Sequence, residues 1–235
     1  MKILFKFPTR SRRKKFMDAM ENIHEMTADG NYFVLVTADE DDDAMKGLES
    51  NKANFKIIYG KSNNKIHAVN RDMEQAPKDW DILIVMSDDM RFVKKGFDDI
   101  IRADMQKYFP DLDGVLHYND GNQRENVMTM SIMGRKYYER TREIYPSIYE
   151  SVWCDVEETD RAHMLGKYRY MGDDNILFNH LHPAWGLAQY DEQYRKTEDG
   201  ATEARDKTKF IMRRAINYGL NPKEIVNSTK YPHIK

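Results

Sequence analysis

The chain is predicted to fold as a single α/β domain, a mostly parallel central sheet flanked by helices. Three observations lead there. Apolar, β-branched runs alternate with helix-period segments across the first ninety residues, which implies βαβ units with right-handed crossovers. One run, Asp81-Ile-Leu-Ile-Val-Met-Ser-Asp88-Asp89-Met90, is continuously apolar, as a strand buried on both faces must be, and ends abruptly in two carboxylates. At 235 residues the chain is long enough for one substantial core, and a second is not expected.

Taken in order, residues 2–7 read as a first strand closed by Pro8-Thr9. Thr9 or Ser11 is expected to cap a helix running to about Met26, with Phe16, Met20 and Ile23 on its apolar stripe. Residues 31–37 form a second strand that ends in the acidic run from Asp39 to Asp43, and residues 55–59 a third, followed by Gly60 and a polar turn. A helix over 65–75 precedes the fourth strand at 81–86. Beyond it the pattern is less regular. A helix is expected over 95–107, strands over 114–118 and 127–133, and a Tyr- and Arg-rich helix after Gly134. Another helix fits 155–165, short strands fit 168–171 and 175–179, and a last helix fits 201–218. The chain thus divides into a nucleotide-binding half (1–90), an acceptor and metal half (91–200) and a C-terminal helix with tail (201–235).

Composition narrows the class. Hydrophobic residues make up 40% and charged residues 32%, so the chain is globular with a polar surface. No apolar run approaches the roughly 20 residues needed to cross a bilayer, and residues 1–8 are too short and Lys-interrupted for a signal peptide. The single cysteine, Cys154, excludes an internal disulfide and a cysteine-based zinc site, and is expected to be a small packed residue. A cytoplasmic location is the default expectation. Net charge is −2, so no global field favours nucleic acid, although basic residues cluster at 10–15 and 205–214.

Chemistry collects at element ends. In parallel sheets the working groups gather beyond the carboxyl ends of the strands, where Asp88 and Asp89 would offer a hard, oxygen-rich site for Mn²⁺ or Mg²⁺ and, through it, a diphosphate. Asp155, Glu157, Glu158 and Asp160 enter a helix, and His180 and His182 close a strand, where alternate residues project together. Singly, each has an ordinary explanation. Acids favour a helix N-terminus by dipole alone, and a histidine beside proline is commonly a hydrogen-bonded structural residue.

Taken together, the order strand-Pro-Thr-Arg, strand-acidic turn, Asn-Lys-Ile-x-Ala-x-Asn, strand-Asp-Asp, Cys-Asp-x-Glu and His-x-His-Pro resembles family-2 glycosyltransferases of the GT-A fold, over about residues 2–195. The resemblance implies a Rossmann-like sheet, a nucleotide-sugar donor, a divalent metal and inversion at the anomeric carbon. Carried over, Pro8, Thr9 and Arg10 would line the nucleotide pocket, and Asp39 would accept from the base, taken as the uracil of a UDP-sugar. Lys65, Ala68 and Asn70 would lie beside ribose and phosphates. Asp89 would bind the metal directly and Asp88 would face ribose or metal. His182, with His180 as close competitor, would supply a further ligand. Asp155 would be the catalytic base, and Glu157 a neighbour orienting acceptor or base.

Two departures stand out. Serine occupies the position of the first acid of the usual Asp-x-Asp, and Cys154 the position of a frequent Glu, which leaves the metal geometry and the choice between Asp155 and Glu157 open. The acceptor is open as well: a glycan, a small molecule, a protein, or a hydroxylated base in viral DNA. The segment 191–196 follows the histidines and is placed either to fold over bound donor or to serve as a surface linker. Competing readings are a nucleotidyltransferase, which would want glycines after the first strand; a phosphatase, which would want a spaced Asp-x-Asp; and a non-catalytic nucleotide-sugar or carbohydrate-binding module.

Overall fold

A computed structural model describes residues 1–48 and 54–234. The N-terminal half follows the predicted order: β1 (Ile3–Thr9), α1 (Arg13–Met26), β2 (Tyr32–Asp39), β3 (Phe55–Gly60), α2 (Lys65–Asn70) and β4 (Ile82–Val85). There follow β5 (Met90–Phe92), α3 (Phe97–Tyr108), β6 (Val115–His117), β7 (Ile132–Gly134), α4 (Arg135–Tyr138), α5 (Cys154–Met164), β8 (Tyr168–Tyr170), β9 (Phe178–His180), α6 (Glu192–Thr197) and α7 (Gly200–Ala215). Seven strands form one sheet in the order β3-β2-β1-β4-β7-β6-β8, and β5 and β9 make a separate two-stranded ribbon. β7 alone runs against its sheet neighbours, so the sheet is mostly parallel.

Strand periodicity sorts the core into two layers. Ile3, Phe5 and Phe7 of β1 join Phe16 and Ile23 of α1 and the stacked pair Phe92 and Phe97 on one face. Leu4, Leu35 and Leu83 meet Ile66 and Val69 of α2, with Tyr149 and Phe210, on the other. Each such side chain, fully buried, contributes about 1.5–3 kcal/mol.

Lys6 shares that second face and is fully buried. Its ammonium donates to Thr37 Oγ1, whose own hydroxyl donates to Asp72 Oδ2 at 3.0 Å. Burial lowers the Lys6 pKa to about 7 despite the nearby Asp72.

Several predicted details differ. Neither Thr9 nor Ser11 caps α1: Thr9 completes β1, and Ser11 sits at φ 62° with its N–H donated to Asp42. The helix expected over 65–75 breaks after Asn70, because Asp72 takes a left-handed φ of 70° before a short 3₁₀ turn. The strand expected over 127–133 is regular only from Ile132. The β5 strand was not expected at all.

Candidate active site

Following β1 with β2 and β3 on one side and β4 on the other creates a switch point, and a cleft opens beyond the carboxyl ends of β1, β2 and β4. Its volume is about 810 Å³, ample for a nucleotide sugar. Pro8, Thr9, Arg10, Asp39, Lys65, Asp88, Asp89, Asp155, His180 and His182 all line it. Asn70 and Glu157 do not.

At one end Arg10 donates to Asp39 Oδ2 and grips Asp41 through two bonds of 2.8 and 3.0 Å. The buried Asp39 Oδ1 and Thr9 Oγ1 have no hydrogen-bond partner. Lys65, exposed at the start of α2, forms no hydrogen bond or ion pair among the described residues, and its charge reaches Asp155 and Glu198.

At the centre, β5 carries the acid pair toward the histidines. Antiparallel pairing sets Met90 opposite His180, and Leu181 N–H donates to the Asp89 carbonyl at 2.8 Å. His180 Nε2 therefore lies 3.4 Å from Asp89 Oδ2, and its Nδ1 lies 3.8 Å from Asp120 Oδ2. Burial would lower the imidazole pKa, but the two carboxylates outweigh it and push it up to about 9. Burial likewise opposes ionisation of Asp89, yet His180 holds that carboxyl far below the usual range. Asp88 behaves oppositely: burial raises it to about 6, although Arg12 donates to its Oδ1 at 3.1 Å.

His182 is differently committed. Its Nε2 lies 3.1 Å from Glu198 Oε1, and its Nδ1 accepts from Ala184 N–H at 3.2 Å. Of the two candidates, His180 meets Asp89, while His182 lines the same cleft bonded to Glu198.

Asp155 heads α5, in the first turn where the helix dipole favours an anion. Its Oδ1 accepts the N–H of Val156 at 2.9 Å, and burial raises its pKa, with Lys65 opposing. The turn before it is held under strain: Trp153 adopts φ 66°, unusual for a bulky residue, with its ring 5.1 Å from that of Phe210. Asp206 of α7 fastens the loop behind by accepting the N–H groups of Glu150, Ser151 and Val152 at 2.9–3.1 Å.

Two expected site residues lie outside the cleft lining and are bonded within the fold. Glu157 is fully buried, clasped by Arg213 at 2.6–3.0 Å and by the Tyr149 hydroxyl at 2.7 Å. Asn70 pins the loop at Ile144 and Tyr145 through three bonds of 2.7–3.2 Å. Cys154 is buried, its thiol pKa pushed up by burial.

Three residues of the site have no individual role in the sequence reading, Arg12 entering it only within the basic cluster at 10–15 and Tyr194 only within the segment 191–196. Asp120 stands behind His180, its Oδ1 holding the N–H groups of Asn122 and Gln123. Arg12 bridges Asp88 to Asp191, at 2.6 Å from the latter, and Tyr194 donates to Asp89 Oδ2 at 2.6 Å. Asp120 had a readable signal, a carboxylate just past a strand; the other two depend on a fold-back of the chain.

The first basic cluster is engaged internally. Arg13 donates to the carbonyls of Ala44 and Lys46, Lys14 pairs with Asp18 and Lys15 with Asp191. In the second, Arg205 and Lys209 pair with Glu150, and Arg213 with Glu157.

Hard carboxylate oxygen and imidazole nitrogen are a donor set that Mn²⁺ accepts. The fit is visible in the bonding. Eight buried side-chain polar atoms lack a hydrogen-bond partner among the described residues. Six of them, on Thr9, Arg12, Asp39, Asp89, Ser151 and His180, belong to residues lining this one cleft. Elsewhere, Asp29, Asp98 and Asp99 bring three carboxylate oxygens within 4.8 Å of one another, but Arg102 already pairs with all three.

No protein-family model matches the chain, and no curated protein matches it in sequence. Solved structures do. A mannosyltransferase from Pyrobaculum calidifontis, in complex with GDP-Man and Mn²⁺, superposes with a TM-score of 0.63 at 14% identity, over 95% of this chain and 66% of that one. The chain thus spans just under two thirds of that enzyme. Staphylococcus aureus TarS (residues 1–349) with UDP gives 0.60 at 15% identity, over 95% and 77% of the two chains. A Drosophila β-1,4-galactosyltransferase variant with manganese, UDP-Gal and xylobiose gives 0.53 at 12% identity, over 83% and 79%. The fold is that of the GT-A glycosyltransferases, one domain with a mostly parallel sheet. No helix among the described residues is long and apolar enough to cross a membrane.

Proposed function

We propose that the protein is a metal-dependent inverting glycosyltransferase that moves a sugar from a nucleotide diphosphate, a UDP-sugar, to a hydroxyl group of a glycan or small polyol. The observation that carries this reading is the gathering of unpartnered buried donors and acceptors around the cleft at the strand ends. Buried polar groups are ordinarily satisfied, so a cluster of exceptions marks a surface made for a polar ligand.

Asp39 Oδ1 would accept the N3–H of uracil, with Arg10 holding the carboxylate in place. Asp89 and His180 would hold Mn²⁺ or Mg²⁺, His182 standing next to them with its ring centre 5.2 Å from that of His180. When bound, such an ion neutralises charge developing on the leaving diphosphate. Lys65 is available to the same phosphates. Asp155 would remove the acceptor proton; one base and no protein nucleophile suffice for displacement from the opposite face, by analogy with inverting glycoside hydrolysis.

A glycan or polyol acceptor is favoured over DNA, because a DNA partner needs free cations for its phosphates and the basic clusters here are largely paired. Trp185, half-exposed at the cleft wall, offers a flat apolar face for a sugar ring. The same chemistry would serve a non-catalytic module, and turnover separates the two. Incubation with a panel of nucleotide sugars, Mn²⁺ and candidate glycans should release nucleoside diphosphate and lose that release in Asp89→Asn. Binding without release would leave a module, and release indifferent to Asp89→Asn would overturn the assignment.

A further inference from the structure

Tyr194 is almost fully buried although it lies on the six-residue helix α6, and its hydroxyl points inward onto the acid pair. The bond it donates to Asp89 Oδ2 is 2.6 Å long, and Asp89 is itself 7% exposed. Asp89 Oδ2 also faces His180 Nε2 at 3.4 Å, whereas Oδ1 has no partner. The two oxygens of one carboxylate are thereby made unequal.

The tyrosine is held from both sides. The Arg12 guanidinium lies 3.8 Å from the centre of its ring, a stacked cation–π arrangement. The same guanidinium reaches Asp88 on one side and Asp191 on the other. Asp191 in turn caps α6 by accepting the N–H of Tyr194 at 3.1 Å and pairs with Lys15 at 2.9 Å. The Tyr194 ring also meets the edge of His182, ring centres 4.9 Å apart, so the residue touches the acid pair, the segment leading into α1 and the histidine pair at once.

We propose that Tyr194 is a positioning residue of the metal site: it fixes Asp89 Oδ2, leaves Oδ1 to face the cation, and makes docking of α6 part of the site. This rests on the reading of Asp89 as a metal ligand. Groups that orient a first ligand change metal affinity by about 10–100-fold when removed. The arrangement also links two events. A carboxylate already oriented by the cation on Oδ1 costs less to order for the Tyr194 hydrogen bond on Oδ2, and the reverse, so ion binding and the seating of residues 190–198 reinforce each other.

The test is direct binding of Mn²⁺ in the presence of UDP, followed by the electron paramagnetic resonance signal of the free ion, for the wild type, Y194F, D191N and D89N. Thermal melts establish that each variant is folded. Y194F is expected to bind Mn²⁺ at least about tenfold more weakly, and D191N, which leaves both Tyr194 and Asp89 in place, to shift in the same direction. Amide exchange across 190–198 should slow on adding Mn²⁺ and UDP to the wild type and stay unchanged in Y194F. Should Y194F not fold, D191N decides by the same two readouts. Mn²⁺ affinity in Y194F equal to or tighter than the wild type would overturn the inference, a tighter value meaning that the hydroxyl obstructs the ion. Wild-type binding that vanishes in D89N but is undiminished in Y194F removes this inference alone; a wild type that binds no Mn²⁺ removes the metal reading with it.

Discussion

Asp155 and Glu157 are two residues apart at the head of α5 and do different things. Positions i and i+2 of a helix point about 200° apart, so only one of them can face the cleft. Asp155 does; Glu157 is spent on Arg213 and Tyr149. Helix geometry alone says that one of the pair faces the cleft; which one is set by the contacts of Glu157 with α7. Asn70 and Lys65 separate for a similar reason, being five residues apart on α2. Asp155→Asn is expected to lower turnover about 10²–10⁴-fold with donor affinity, read by titration calorimetry, unchanged. Glu157→Gln should instead lower thermal stability, because it leaves the buried Arg213 contact without its countercharge. The Asp155 carboxyl is raised by burial and must be ionised to accept a proton. The rate should therefore fall with decreasing pH through an apparent pKa above the aspartate reference of about 3.9, an inflection that is the place to look in a pH profile of turnover.

At the scale of elements, the strand that matters most is the one the sequence did not reveal. β5 is three residues long, too short for any alternation to register, and its partner β9 lies almost ninety positions later. Pairing at that separation is tertiary information, yet it is what sets His180 beside Asp89. The longer strands were legible because burial on both faces demands continuous Ile, Val and Leu. β1 shows the limit of that rule, since Lys6 sits inside it with no exposure. Its pKa of about 7 in the folded state against an ordinary 10.5 means that the unfolded chain binds the extra proton between those values. Stability should therefore rise as pH increases from about 7 toward 10.5. Lys6→Met is expected to flatten that rise relative to the wild type, as measured by urea unfolding at pH 7, 8.5 and 9.5; parallel slopes in the two proteins would remove Lys6 as its source.

For the whole molecule, the α/β alternation and the strand-end acids locate the cleft, and the local motifs name part of its lining, from Pro8 and Asp39 to Asp155 and His180. Closure by the segment 191–196 is one of two readings the sequence allows, and the contacts that seat it are tertiary. Asp120 and Tyr194 reach the site because the chain returns after residue 117 and again after residue 190, and Asp206 of α7 braces the loop just before Asp155. In the proposed function one cation gathers Asp89 and the β9 histidine beside a nucleotide diphosphate. A crystal of the protein grown with UDP and Mn²⁺, with anomalous scattering recorded for manganese, addresses it directly. The predicted result is a manganese peak bonded to Asp89 Oδ1 and an imidazole of His180 or His182, bridging to the diphosphate. A peak at the Asp29, Asp98 and Asp99 cluster instead, or UDP bound in the cleft with no manganese beside Asp89, would contradict it.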